Sequence, residues 1–166
     1  MTPERAAYYR LMLLAGERSE FDQELDLALE TEDLITAPVL DLALCMSDLN
    51  QTISVLHNYA LGTDVDQQQV HDMIMATFRS QYISKQRTAR EICEALDIIQ
   101  RCCDGSDPWI DLYTYLYEFE LLNEGIISQE VFEQGFSSAF LHGIRIDPWT
   151  LQKDLNQAKK KGVSPP

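Results

Sequence analysis

The sequence predicts an all-α fold, a single-domain bundle of about seven helices whose central helix spans residues 37–61. Three observations predict it. Apolar residues recur at steps of three and four along almost the whole chain, the spacing of one helix face. Caps and breakers fall where such helices should begin and end. The stretch PVLDLALCM, residues 38–46, is apolar on nearly every side, which places its helix in the middle of the fold.

The first helix is predicted from Pro3 to Ala15, with Thr2 as N-cap, Pro3 at the first helical position and Gly16 at the end. Ser19 caps the second, which turns Phe21, Leu25, Ala28 and Leu29 inward. The third begins near Thr36 and Pro38 and carries Leu42, Met46, Leu49, Ile53, Leu56 and Ala60 in one stripe until Gly62. Thr63 opens the fourth, burying Val70, Ile74 and Phe78. Thr88 and Glu91 form a capping box for the fifth, with Ile92, Leu96, Ile99 and Cys103 aligned before Gly105.

Both tryptophans of the chain sit in the tripeptide Asp-Pro-Trp, at residues 107–109 and 147–149. Asp at an N-cap accepts from orphan backbone N–H groups, and Pro at the next position loses no hydrogen bond. Asp107 and Asp147 are therefore read as helix starters, and Trp109 and Trp149 as first-turn anchors. The helix after Trp109 aligns Leu112, Leu116 and Phe119. Tyr113, Tyr115, Tyr117 and Phe119 alternate as in a strand, but the cap, the length and Gly125 favour helix. Ser128 caps the next helix, with Phe132, Phe136, Ala139 and Phe140 inward and Gly143 at its end. The last helix aligns Leu155 with Leu151 and Ala158, and Lys159 to Lys161 suit the negative end of its dipole. One domain is expected over 1–161, with a disordered tail at 162–166.

Thirteen Lys and Arg face 27 Asp and Glu, a net charge of −14. Such a chain lacks the basic footprint that phosphate backbones and anionic membranes require. No signal peptide or membrane-length apolar run is read, and four cysteines without a CxxC suit a reduced, cytoplasmic protein. The three histidines show no metal-ligand spacing, and no P-loop, GxGxxG or GxSxG occurs. No cofactor is expected. The segment NEGIISQEVF resembles the middle of a calcium loop, but in that register Leu122 and Val131 stand where oxygen ligands are required.

Three groups of residues remain as candidate sites. The second helix carries Glu20 and Glu24 on one side of its apolar seam, and Asp22, Asp26 and Glu30 on the other. Arg18 is the one base within residues 17–33, so neutralisation from neighbours four residues away is not expected and the acids point outward to a basic partner. Arg79, Lys85, Arg87 and Arg90 form a basic group that either pairs with the acidic helices or meets an acidic or phosphorylated partner. Finally, Glu17-x-x-Glu20 and Glu30-x-x-Asp33 resemble the paired ExxE and ExxD of all-α nucleotide pyrophosphohydrolases, though the gap between the pairs is short. The first reading is a non-enzymatic acidic protein-binding domain, an adaptor or an inhibitor or immunity-type protein for a basic partner. The alternative is a Mg²⁺-dependent all-α hydrolase of nucleotides or other phosphorylated small molecules. The pattern is also compatible with a homo-oligomer.

Overall fold

Thr2 opens the first helix of the computed structural model, its hydroxyl accepting from Arg5 N at 3.3 Å. Residues 1–31, 37–61, 64–103 and 107–160 are described. Gly62, Thr63, Asp104, Gly105 and the tail at 162–166 lie outside them. The described residues form nine α-helices and one short 3₁₀ helix, with no strand. They are α1 Pro3–Leu14, α2 Ser19–Thr31, α3 Ala37–Cys45, α4 Leu49–Leu61, α5 Gln67–Ile83, α6 Ala89–Arg101, α7 Leu112–Asn123, α8 Gln129–His142 and α9 Pro148–Lys160. The 3₁₀ turn covers Trp109–Asp111. Two compact units result: Met1–Thr77 with Ile98–Trp109, and Phe78–Asp97 with Ile110–Pro166.

In the first unit α1 packs against α4, and α3 against both α2 and α4. The most enclosed helix is α1, with Ala6, Tyr8, Tyr9, Leu11, Met12 and Leu13 buried. The expected central helix over 37–61 is instead two helices. Asp48 breaks it: its carboxylate accepts from Asn50 N at 3.0 Å and Gln51 N at 3.1 Å, capping α4. Thr52 secures the corner, its hydroxyl 3.0 Å from Cys45 O and 2.9 Å from Asp48 O. Consequently the predicted stripe fails at its middle. Leu42 and Leu56 are buried, whereas Met46 and Leu49 are exposed. On α2, Phe21 and Leu25 are buried as expected, but Leu29 is exposed.

Helix α5 starts at Gln67, where Asp66 accepts from Gln69 N at 3.1 Å. The capping box of α6 forms as read: Thr88 N donates to Glu91 at 2.8 Å, and Glu91 N donates back to Thr88 at 3.3 Å. The Thr88 N–H and the Thr88 hydroxyl, each donating to the carboxylate at 2.8 Å, hold the Glu91 carboxyl below its usual range.

The second unit centres on aromatic packing between α7 and α8, which lie in contact. Phe136 stacks on Phe140 at 4.7 Å, and the Tyr82 and Tyr115 rings meet both edge-on. The alternating aromatics of residues 113–119 are helical, so the cap and breaker signals outweigh β propensity there. Ser128 caps α8, and Gly143 ends it at φ +68°, a left-handed position that glycine adopts without steric cost. Gly135 admits the buried Glu118: a Cβ at that position would lie 2.8 Å from Glu118 Oε2.

The two Asp-Pro-Trp tripeptides part company. Asp147 caps α9, accepting from Thr150 N at 2.9 Å and Thr150 Oγ1 at 2.7 Å. Its carboxyl is held below the usual range by these bonds. A 3₁₀ turn at Trp109–Asp111 intervenes and α7 begins only at Leu112, so Asp107 does not cap an α-helix. Trp109 is 2% exposed and anchors the first unit, donating from Nε1 to Gln67 Oε1 at 3.3 Å and meeting His71 edge-on. Trp149 is 53% exposed, so about half of its surface stays open.

Candidate functional site

The acids of α2 divide into those with internal partners and those without. Glu24 receives Arg5 from α1, with Nε donating to Oε1 at 3.0 Å and Nη2 to Oε2, and it also accepts from Tyr9 OH. Glu20 accepts from Tyr8 OH at 2.6 Å, and that hydroxyl lies 2.8 Å from Thr77 Oγ1. Burial, then the bond to a carboxylate, pushes both tyrosine hydroxyls upward in pKa. The hydrogen bond to Glu24 raises Arg5 further above its usual value. The expectation that no neighbour neutralises α2 is corrected at Asp22. Arg18 reaches it four residues away, Nε at 2.9 Å, and also donates to Met46 O. Asp26 and Glu30 are exposed and make no ion pair among the described residues.

The carboxylates proposed for Mg²⁺ are not brought together. Glu20 and Glu30 lie on one helix, ten residues apart, or about 15 Å along its axis. A single ion is bridged only by ligands that each approach within about 2–2.6 Å of it. Glu20 is moreover engaged with Tyr8. Asp33 lies outside the described residues, and Glu17 precedes the helix. No group of three or more His, Cys, Asp or Glu suited to a metal occurs among the described residues.

The basic group is largely absorbed by its own unit. Arg79 donates to Phe140 O at 3.0 Å and lies over the Phe140 ring. Arg87 lies over Phe78. Arg90 donates to Asn123 Oδ1 at 2.7 Å, sits over Phe119 and approaches Glu94 at 4.0 Å. Lys85 is exposed at a left-handed turn position, φ 59°. Beside Glu94, these partners include carbonyls and aromatic faces, which a charge count does not reveal.

A feature that sequence reasoning missed lies on α3. Val39, Leu42 and Cys45 face the core, while Leu40 is 44% and Leu44 77% exposed. These two are neighbours on consecutive turns, with exposed Asp41 three residues before Leu44. Met46 and Leu49 extend the exposed apolar run past the corner. The cue was present: Asp41 punctuates the otherwise apolar PVLDLALCM and marks a solvent-facing side. The four cysteines form no disulfide, and Cys45 and Cys93 are buried. Burial pushes the Cys93 thiol upward in pKa, with Glu118 adding to it.

Comparison of the chain with protein-family models, with curated proteins and with solved structures finds no match. No helix among the described residues is long and apolar enough to cross a membrane.

Proposed function

We propose that this chain is a non-enzymatic acidic protein-binding domain, of the adaptor or inhibitor and immunity type, whose partner presents a basic segment with apolar anchors to α2 and α3. The observation that carries this reading is the exposed run Leu40, Leu44, Met46 and Leu49 on the α3–α4 corner, with Asp41 in the run and Asp26 and Glu30 on the adjoining α2, none of the three in an ion pair among the described residues. Large apolar side chains gathered on a surface commonly mark an interaction site. Residues 1–66 hold thirteen acids and three bases. Of those bases, Arg5 and Arg18 are committed to Glu24 and Asp22. The remaining acid, including Asp26, Glu30 and Asp41, supplies long-range attraction to a basic partner, and the leucines supply the short-range contact.

The test is quantitative affinity capture from the native lysate with three baits. These are the wild type, Asp26→Asn/Glu30→Gln/Asp41→Asn, and Leu40→Asn/Leu44→Asn. The reading expects a basic protein retained by the wild type, lost by both variants, and released from the wild type by about 1 M salt, where screening acts within about 3 Å. Retention of the same partners by both variants would remove this surface. A thermal shift with Mg²⁺ and nucleotides would reverse the order of the readings if it raised the melting temperature, since only native-state binding does so.

A further inference from the structure

We infer that the first unit holds a separate small-molecule site, a cleft that takes a monocarboxylate with an apolar or aromatic body. The cleft measures about 480 Å³, within the range of small-ligand pockets. Its walls come from α1, α4, the stretch before α5, the end of α6 and Trp109. Leu11, Leu61 and Val65 give it an aliphatic side and Trp109 an aromatic one, while His57, Asp64 and Gln67 add polar groups. Arg10 is the cation on its wall.

The second observation concerns that arginine. Arg10 Nε is enclosed and finds no hydrogen-bond acceptor. A guanidinium N–H withdrawn from water without an acceptor is costly, and because no carboxylate among the described residues holds Arg10, its guanidinium is free to turn toward an oxygen anion in the cleft. The other two arginines of residues 1–66 meet carboxylates through their own Nε, at 3.0 Å for Arg5 and 2.9 Å for Arg18. Arg10 alone among the three has an Nε without one.

The charge inventory selects the class of anion. One guanidinium matches one carboxylate. A phosphate ester carries nearly two charges, and here it would meet Asp64 on the same cleft with no second Arg or Lys beside Arg10, His57 being the one other basic side chain among the described lining residues. The side formed by Leu11, Leu61, Val65 and Trp109 suits an apolar or aromatic body. The acidity of the whole chain does not forbid such a ligand, because exposed charges beyond about 8–10 Å are screened at physiological salt, whereas a partly buried pair is screened much less.

The cleft supplies its own reporter. Trp149 is the only other tryptophan and lies on α9, so Trp149→Phe leaves Trp109 as the sole fluorophore. The experiment titrates this variant with octanoate and 1-naphthoate, following octanoate by Trp109 fluorescence and both by calorimetry, with octanamide and 1-naphthamide as neutral controls. Saturable binding with a dissociation constant on the order of 0.1–1 mM is expected. The amides and the Arg10→Gln protein should bind at least about tenfold more weakly. Arg10→Met should fold with equal or greater stability without ligand, because it removes an unpaired donor rather than a structural bond. Equal binding of acid and amide by the wild type, or no saturable binding of either acid below about 5 mM, overturns the inference, and neither result depends on a variant folding.

Discussion

Gly135 lies in the middle of α8, where alanine ordinarily favours a helix over glycine by about 0.8–1 kcal/mol. Here the sign should reverse. The new Cβ would stand 2.8 Å from Glu118 Oε2 and 3.6 Å from Cδ, the first closer than real Cβ contacts come. Glu118 is 8% exposed on α7, so its carboxylate has little room to withdraw. Either Glu118 leaves its rotamer or α7 and α8 move apart, and overpacking of this kind costs about 1–3 kcal/mol. Subtracting the propensity gain leaves Gly135→Ala destabilising by roughly 0–2 kcal/mol. With Glu118→Ala already in place the obstacle is gone, and the same substitution should stabilise by up to about 1 kcal/mol. Urea unfolding of the four proteins at pH 7 closes a double-mutant cycle, with an expected coupling of about 1–3 kcal/mol. If Gly135→Ala stabilises the otherwise unaltered protein by the full propensity gain, the carboxylate yields freely and the packing argument fails.

Glu118 also carries a pH signature. Burial raises its pKa in the folded protein, with Arg145 opposing. Below the ordinary carboxylate range both states are protonated; as pH rises, the unfolded chain ionises first, so stability falls until the raised folded value is passed. Glu118→Gln should therefore flatten this part of the curve of urea midpoint against pH, and an unchanged slope would count against burial as the cause. The tryptophans should separate cleanly: Trp109→Ala is expected to cost about 3–5 kcal/mol, and Trp149→Ala within about 0.5 kcal/mol. Acrylamide should quench Trp149 and spare Trp109. Tyr9→Phe removes a hydroxyl bonded to Glu24 and Arg5 and should cost about 1.5 kcal/mol in the same assay. Asp147→Ala should lower the urea midpoint and Asp147→Ser should restore most of it, whereas equal loss in both would deny the cap.

What could be read in the sequence was local. Thr2, the Thr88–Glu91 pair, Ser128 and Asp147 act on groups within three residues, so signal and effect share one short window. The corner at Asp48 was missed because the apolar period runs through it unbroken, and only the cap betrays it. The two tryptophans have identical neighbours in sequence, yet Gln67, 42 positions away, decides the surroundings of Trp109. The α2 acids tell the same story. Asp26 and Glu30 are exposed, but Glu24 meets an arginine 19 positions earlier, which only helix packing can deliver. The α3 surface was hidden for the opposite reason: hydrophobicity implies burial on average, and Leu44 departs from the average.

The enclosure of α1 has a consequence for the order of events during synthesis. Its apolar residues, from Tyr8 to Leu13, are made before α4, against which α1 packs and which ends at Leu61. At about 5–20 residues per second, the 47 residues between Leu14 and Leu61 take roughly 2–9 s to appear. Throughout that interval the segment YYRLML is made but has no α4 to cover it, and it offers a nascent-chain chaperone an apolar stretch with a single arginine.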